Sequence, residues 1–215
     1  MLLHFRCRLR TNFYVDGFNL YYGALRRTKF RWLNLELLFQ TLFPRNSIQE
    51  IKYFTALVRA RGTDFSQPQR QQLYLRALST LPKVSIHYGH FLVHELYMPK
   101  AGQIGQPQEF VKVIKTEEKG SDVNLATHLL HDAHMDRFDV AIIVSNDSDF
   151  LGPIKVVRDE LGKKIGILNS QEKPSRALLP HIDFIKQIRA GSLRISQFAD
   201  VMQDDTGTFF KPTQW

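Results

Sequence analysis

The sequence contains almost no cysteine and no long apolar run. Cys7 is the single cysteine among 215 residues, so the chain cannot form an internal disulfide. No segment approaches the roughly 18 consecutive apolar residues that predict a membrane span. The first ten residues, MLLHFRCRLR, hold three arginines and lack the uninterrupted apolar core of a secretory signal. These absences predict a protein of the cytoplasm, a reducing compartment, with no contact to a membrane.

Several signatures of nucleotide binding and covalent catalysis are also absent. The sequence has no G-x-x-x-x-G-K-[ST] loop and no G-x-G-x-x-G fingerprint, which argues against a standard ATPase or dinucleotide enzyme and predicts no nucleotide cofactor. No serine, cysteine and histidine set suggests acyl transfer. The apolar content of 43% is enough for one substantial core, and the length does not require a second domain.

Negative charge is scarce in the first part of the chain. The net charge is +8, and residues 1–83 hold 14 Lys and Arg against 4 Asp and Glu. The remaining residues hold 15 against 17, so the whole excess lies in the first part. Such a field attracts polyanions and would make their binding sensitive to salt, as for nucleic acid. A basic surface that only aids solubility explains the charge equally well.

Strand-like and helix-like segments alternate along the chain. Runs of branched and aromatic residues predict strands, and apolar residues at helical spacing predict helices. The predicted strands are residues 12–15, 51–58, 84–93, 109–116, 139–145 and 164–168. The predicted helices are residues 18–27, 67–81, 119–134 and 151–162. Strands and helices in this order are typical of an α/β fold, so we predict a central, mainly parallel sheet flanked by helices.

The pattern divides the chain into three regions. Residues 1–10 form a basic leader, residues 11–190 form a single α/β domain, and residues 191–215 form a tail. The segment at residues 98–108 is rich in Gly, Pro and Gln and is predicted to be a surface loop. The tail mixes polar and aromatic residues without a clear period. We expect it to be extended and to pack or dock weakly.

Four aspartates stand where predicted strands end or a predicted helix begins. Asp16 closes the first strand, and Asp147 and Asp149 directly follow the most apolar strand. Asp122 begins a helix, on the face that is expected to turn toward the sheet. Ligands of an open parallel sheet collect beyond the carboxyl ends of its strands. We therefore expect the four carboxylates to meet at one edge of the sheet.

Four carboxylates at one edge need a compensating cation, because like charges raise one another's pKa values. Hard oxygen ligands favour magnesium, with manganese as the second choice. Asn19, on the first helical turn after Asp16, is placed to hold a carboxylate or a phosphate. Each aspartate taken singly is also explained as a turn or helix-cap residue. Their joint position at one edge is what points to a site.

Three segments carry a family resemblance. FYVDGFNLYY, KGSDVNLATHLLHDA and AIIVSNDSDFLGPIKVVRDELGKKIGIL resemble, in this order, the motif blocks of NYN domain proteins, in the PIN-like nuclease superfamily. The resemblance covers roughly residues 11–190 and implies a central parallel sheet, metal-dependent phosphodiester cleavage and RNA as the substrate. The metal and catalytic positions that it implies are Asp16, Asp122, Asp147 and Asp149.

The same resemblance assigns further residues. Asn19 matches the asparagine of the first block and is implied to assist catalysis. Lys119 matches the lysine that precedes the glycine of the second block and is placed to contact a phosphate. The sequence departs from several relatives at His128, where they have an aspartate. Loss of that acid affects a peripheral ligand more than the four aspartates.

Aromatic and basic residues follow the first block. Phe18 and two tyrosines come directly after Asp16, and a basic segment follows them, which is typical of a base-stacking surface beside a phosphate track. A helix with an aromatic core face and a solvated basic face has the same pattern. The predicted RNA-binding residues are Arg26, Arg27, Lys29 and Lys119.

Together these observations give one hypothesis and two alternatives. The hypothesis is a metal-dependent endoribonuclease in which the aspartates hold one or two magnesium ions and basic residues guide RNA. One alternative is a catalytically silent RNA-binding or regulatory module, since one fold can host either role. The other is DNA as the target, because carboxylates and magnesium do not inspect the 2'-hydroxyl. The sequence leaves a homo-oligomer open.

Overall fold

Strands and helices alternate through residues 8–60, 64–102 and 108–215, the part of the chain that the computed structural model describes. The strands are β1 (Leu9–Asp16), β2 (Asn46–Thr55), β3 (Val84–Tyr88), β4 (His90–Pro99), β5 (Phe110–Lys119), β6 (Val140–Val144), β7 (Lys164–Asn169), β8 (Phe184–Gln187), β9 (Val201–Asp204) and β10 (Gly207–Phe210). The helices are α1 (Gly17–Leu20), α2 (Leu35–Leu42), α3 (Gln67–Ser79), α4 (Ser121–His134), α5 (Leu151–Lys155) and α6 (Ala190–Ile195). Two of them, α1 and α5, continue as π-helical turns, Tyr21–Leu25 and Val156–Glu160. Within these ranges, no helix has both the length and the hydropathy that a bilayer crossing requires.

Six parallel strands form the central sheet, in the order β3-β2-β1-β6-β7-β8. β1 lies in the middle, paired with β2 on one side and with β6 on the other. The residues of β6 are buried on both faces, which explains its unbroken apolar sequence. The predicted α/β fold with a mainly parallel sheet is thus confirmed.

Each face of the sheet is covered by its own apolar core. Phe13 of β1 points to the face that holds α2, where its ring stacks on Phe39 with centroids 4.0 Å apart. The next residue, Tyr14, points to the other face, where Leu125 and Leu129 of α4 pack. Because alternate residues of a strand face opposite sides, one strand supplies both cores.

The predicted strand at 84–93 is wrong, because the segment forms two strands that meet at Gly89. β3 joins the central sheet, whereas β4 pairs with β5 as a separate antiparallel hairpin, hereafter the hairpin arm. β5 is therefore not a strand of the parallel sheet. A Cβ on Gly89 would lie 2.3 Å from the Glu118 carboxylate and 2.6 Å from the Lys119 carbonyl. The close crossing of these two segments of the chain therefore requires glycine.

The expectation for segment 98–108 is only partly testable. β4 continues through Pro99, so the start of the predicted loop belongs to a strand. Residues 103–107 of the loop lie outside the described residues. The predicted strand at 51–58 also ends earlier, at Thr55.

The predicted extended tail is wrong, because residues 190–210 fold into α6, β9 and β10 and pack on the core. The Trp32 indole N–H donates to the Ala199 carbonyl (2.8 Å). The Arg76 guanidinium makes two 2.7 Å hydrogen bonds to the Asp204 carboxylate. Phe209 is 3% exposed. Most of the proposed leader lies outside the described residues, and its end belongs to β1.

A buried ion pair fixes α4 against the sheet. Lys52 of β2 contacts Asp132 of α4, and the two side chains are 4% and 0% exposed. The Tyr14 hydroxyl donates to one oxygen of this carboxylate (2.7 Å) and Arg137 donates to the other (2.9 Å). Burial raises the pKa of Asp132, but hydrogen bonds from Lys52 and Tyr14 outweigh it, and the net pKa lies below the usual value. α4 is thereby tied to two neighbouring strands.

We expect Lys52→Met to lower the free energy of unfolding by up to about 3–5 kcal/mol, because it removes the buried charge partner of Asp132 and leaves only the half-exposed Arg137 paired with it. Denaturant unfolding at neutral pH, followed by circular dichroism, measures the change. Lys112→Met is the matched control, since Lys112 pairs with Glu95 on the exposed hairpin arm and loss of a surface pair costs little. Equal stability of the two variants would contradict the anchoring role.

Candidate active site

Asp16 lies at the carboxyl end of β1 and is only 8% exposed. One carboxylate oxygen accepts a hydrogen bond from the Asn19 backbone N–H (2.9 Å), which caps α1. The other oxygen accepts one from the Ser145 hydroxyl (3.1 Å). A Cβ on Gly17 would lie 2.6 Å from the ring and hydroxyl of Tyr53, so glycine lets this phenol approach the site. These contacts fix both oxygens of Asp16.

Asp147 and Asp149 lie on the loop that leaves β6. Asp147 Oδ1 accepts a hydrogen bond from the Asp149 backbone N–H (3.0 Å) and caps the short 3-10 turn Ser148–Phe150. The Asp147 backbone N–H donates to the Ser145 hydroxyl (3.2 Å). This hydroxyl also donates to Asp16 and thus joins the ends of two adjacent strands.

Asp122 lies in the first turn of α4, just after a turn that Glu118 stabilises. The Ser121 backbone N–H donates to one oxygen of Glu118 (3.1 Å), and the Ser121 hydroxyl donates to the other (2.6 Å). The Asp122 side chain is exposed to solvent. Glu118 thus fixes the backbone at the start of the helix, next to Asp122.

Three of the four predicted aspartates face one cleft. Asp16, Asp122 and Asp147 line a space of about 410 Å³ at the carboxyl edge of the sheet, hereafter the carboxylate cleft. Glu118 adds a carboxylate that the sequence analysis did not predict. Asp149 does not line the cleft, although its charge contributes to the raised pKa of Asp122.

Burial and mutual repulsion raise two pKa values in the cleft. Burial is the main cause that raises the pKa of Asp16, and the charge of Asp147 adds to it. Although the residue as a whole is exposed, partial desolvation of its carboxyl in the cleft is the first cause that raises the pKa of Asp122 to about 6, with further contributions from Asp16, Asp147 and Glu118. The cleft therefore carries more negative charge than its environment stabilises.

Asn19 lines both the carboxylate cleft and a neighbouring polar cleft. Its side-chain oxygen accepts hydrogen bonds from the Ser170 hydroxyl (2.9 Å) and from the Gln171 amide (3.4 Å). The oxygen is thus engaged away from Asp16. The amino group is the part of Asn19 that remains to donate to a phosphate or to another carboxylate.

The donor chemistry of the carboxylate cleft fits a hard divalent cation. Its carboxylates are oxygen ligands, and the raised pKa of Asp122 reflects negative charge that a cation would offset. In the described ranges, however, no three His, Cys, Asp or Glu side chains are arranged to hold a metal ion. The Asp16 carboxylate is held by hydrogen bonds to both oxygens, whereas the Asp122 side chain is exposed.

The four predicted RNA contacts lie outside the carboxylate cleft. The Arg26 guanidinium lies 5.3 Å from the ring centroid of Tyr22, which lines the cleft. Arg27 and Lys29 are exposed. Lys119 is half exposed and pairs with a neighbouring glutamate (3.3 Å). Among these four, Arg26 is linked to the cleft through an aromatic ring that lines it.

The sequence analysis missed several polar residues of the site. Ser145 follows β6 directly, and its position beside SNDSD was the available signal. Glu118 stands three residues before Ser121, a spacing that suits a contact at a helix start. Gln171 gives no such signal, because it reaches the cleft only through the pairing of β7 with β6.

Comparisons with known proteins involve most of the chain. The family description "NYN domain" matches residues 10–186. The chain is 30% identical to the 6-hydroxy-3-succinoylpyridine 3-monooxygenase HspA of Pseudomonas putida, over 96% of this chain and 75% of that protein. A crystal structure of a Vibrio parahaemolyticus protein of unknown function has a TM-score of 0.55 at 15% identity, over 85% of this chain and 94% of that one. This last likeness concerns the fold alone. The chain belongs to the NYN domain family, within the PIN-like nuclease superfamily.

Proposed function

We propose that the protein is a metal-dependent endoribonuclease that hydrolyses RNA phosphodiester bonds in the carboxylate cleft. The observation that carries the proposal is the cleft itself, which Asp16, Asp122 and Asp147 reach from three separate parts of the chain. A NYN domain, a PIN-like nuclease fold, supports phosphodiester chemistry. The lone cysteine supports a cytoplasmic location.

The proposed roles follow from how each side chain is held. Asp16 and Asp147 have fixed orientations and would hold Mg²⁺ or Mn²⁺, with Asp122 turning toward the same ion. When bound, the cation would lower the pKa of a water and offset charge on the phosphate. Asp149 would act from outside the cleft through its charge, and the Asn19 amino group would donate to a phosphate oxygen.

RNA would approach along the basic part of the surface. Arg26, Arg27 and Lys29 are exposed beyond the aromatic edge of the carboxylate cleft. Lys119 lies at the end of β5, next to the Asp122 turn. These side chains would guide the phosphate backbone, and binding would weaken as salt rises.

A second candidate function is oxygenation of a small heteroaromatic compound. It is favoured by 30% identity to a protein named as a 6-hydroxy-3-succinoylpyridine 3-monooxygenase. Incubation of the purified protein with that pyridine, oxygen and a reduced nicotinamide or flavin distinguishes the two functions. Because position 3 of that pyridine already carries the succinoyl group, oxygenation there releases this side chain and leaves a hydroxyl on the ring. Oxygen-18 from O2 found in the ring product by mass spectrometry would favour oxygenation, and shortened RNA in magnesium would favour the nuclease.

We expect Asp16→Asn and Asp147→Asn to slow RNA cleavage at least about a hundredfold, because each removes a charged cation ligand. The measurement is the length of a mixed RNA pool after incubation with purified protein and Mg²⁺. Asp205→Asn is the matched control, since Asp205 is exposed and lines neither cleft. Unchanged cleavage by both cleft variants would overturn the proposal.

The same assay distinguishes cleavage from binding without cleavage. It also distinguishes RNA from DNA as the substrate. Binding of RNA that persists in chelator, with no products in Mg²⁺ or Mn²⁺, would favour a catalytically silent RNA-binding module. A matched DNA pool tests whether the 2'-hydroxyl matters. The proposal expects products from RNA that disappear in chelator.

We expect Asp122→Asn to stabilise the cation-free protein at pH 7.5 and to do so much less near pH 4. A carboxyl whose folded pKa is raised above its unfolded value destabilises the fold, and this penalty begins as pH rises past the unfolded pKa of 3.8 and is complete above the folded pKa of about 6. Thermal unfolding in chelator at both pH values measures this. Solvent screening at the exposed side chain reduces the size of the effect, so only its direction is predicted.

Mg²⁺ should reverse the difference in thermal stability between the parent protein and Asp122→Asn at pH 7.5. A cation that binds the folded protein stabilises it and competes with the proton on Asp122. The parent protein should therefore gain thermal stability on addition of Mg²⁺ at pH 7.5, and Asp122→Asn should gain less. An equal gain in the two proteins would contradict cation binding by Asp122.

A further inference from the structure

An aromatic pocket adjoins the carboxylate cleft. It is lined on one side by Tyr53 and Tyr74, which are each 6% exposed, and on another by Trp215. Phe18 and Tyr22 line both this pocket and the carboxylate cleft, so the two spaces share a wall. The nuclease proposal uses only the cleft and leaves this pocket without a role.

The pocket combines ring surfaces with polar groups at its edges. Tyr53 and Tyr74 are in edge-to-face contact, with centroids 6.3 Å apart. Burial first and then the charge of Asp16 raise the pKa of Tyr53, so its hydroxyl stays protonated and can donate. Arg31 and Arg70 also line the pocket. Flat apolar surfaces with cationic donors beside them are what a nucleotide requires.

The Trp215 ring occupies part of the aromatic pocket. It lies 5.8 Å from Tyr74 and 6.2 Å from Trp32 in edge-to-face contacts. The remaining open volume is about 60 Å³. A cavity of roughly 150 Å³ holds a benzene ring, so the open volume is too small to enclose a planar base. A base that is enclosed in this pocket would therefore have to displace the Trp215 ring.

The segment that carries Trp215 is held by a small number of polar contacts. Arg31 donates to the Gln214 carbonyl at 3.4 Å, which is a long hydrogen bond, and Arg70 donates to the Gln214 side chain at 2.7 Å. Withdrawal of residues 212–215 would free the Arg31 donor for a phosphate, whereas Arg70 would lose one acceptor and stay paired with Asp64. The same movement thus opens the ring site and supplies a cationic group.

We propose that the aromatic pocket binds one unstacked base of a single-stranded RNA whose backbone lies in the carboxylate cleft, in place of the Trp215 ring. This rests on the proposed function, because it takes RNA as the ligand of the adjoining cleft. The substrate class is therefore single-stranded RNA, since a base held in a duplex cannot enter the pocket.

The test compares two ligands of equal charge in chelator, so that no cleavage is needed. One is a fluorescent ten-nucleotide oligouridylate, and the other is an abasic ribose–phosphate chain of the same length. The parent protein should bind the base-bearing chain roughly tenfold more tightly, because base–aromatic stacking adds to the phosphate contacts. Equal binding of the two chains would overturn the proposal.

Two substitutions change the room in the pocket in opposite directions. Val58 lines it, so Val58→Phe should fill it and bring the affinity ratio of the two chains close to one. Trp215→Ala should raise the ratio several-fold. Leu57→Phe is the matched control, because Leu57 is 50% exposed and does not line the pocket. Melting temperatures verify that each variant folds. A ratio that responds to none of these changes, or that falls in Trp215→Ala, would overturn the proposal.

Tryptophan fluorescence gives an independent readout. The chain has two tryptophans, so the emission of the parent minus that of Trp215→Phe reports on Trp215. Oligouridylate should shift this emission to longer wavelength as the ring enters water, and the abasic chain should not. Tighter binding of free uridine than of the oligonucleotide would overturn the assignment to RNA. Loss of cleavage alone leaves these binding results unchanged, so failures of the two proposals are distinguishable.

Discussion

The position of α4 on the sheet depends on one buried charge pair. Lys52 and Asp132 are both removed from solvent, and their attraction offsets the cost of burial only while the geometry is kept. Tyr14 and Arg137 fill the remaining acceptor positions of the carboxylate. The helix cannot slide or rotate without leaving a charge unpaired. Its first turn, and with it Asp122, is therefore held over the end of β1.

The site reverses the charge of the surface that surrounds it. The first part of the chain is strongly basic, whereas Asp16, Asp122, Asp147 and Glu118 concentrate negative charge in a single cleft. A polyanion would be drawn to the protein by its overall field and repelled at the cleft itself. A bound cation would remove that local repulsion. The charge distribution and the raised pKa of Asp122 thus both support the proposed cation.

The sequence sufficed for the central sheet and for three cleft aspartates. β6 is buried on both faces, so its apolar run was unambiguous, and Asp147 follows it directly. Asp122 could be placed because helical spacing fixes which residues share a face. Asp149 belongs to the same segment. Its backbone N–H donates to the Asp147 carboxylate, and its side chain lies outside the cleft.

Long-range contacts account for what the sequence did not reveal. Alternation along residues 84–93 does not tell which strand is the partner, and the division at Gly89 follows from a crossing with the end of β5. The short elements after residue 190 have no period of their own, and they are stabilised by Trp32 and Arg76 from distant segments. Glu118 joins the cleft because the same crossing brings β5 beside it.

The hairpin arm has a consequence for divergence within the family. β4 and β5 pair only with each other among the described strands, so the central sheet does not depend on their length. Yet Phe91 and Glu118, at the end of the arm nearest Gly89, form part of the cleft wall. The aspartates would stay in place if the distant end of the arm changed in length or in sequence. The residues around the mouth of the cleft can therefore diverge while the carboxylates inside it keep their positions.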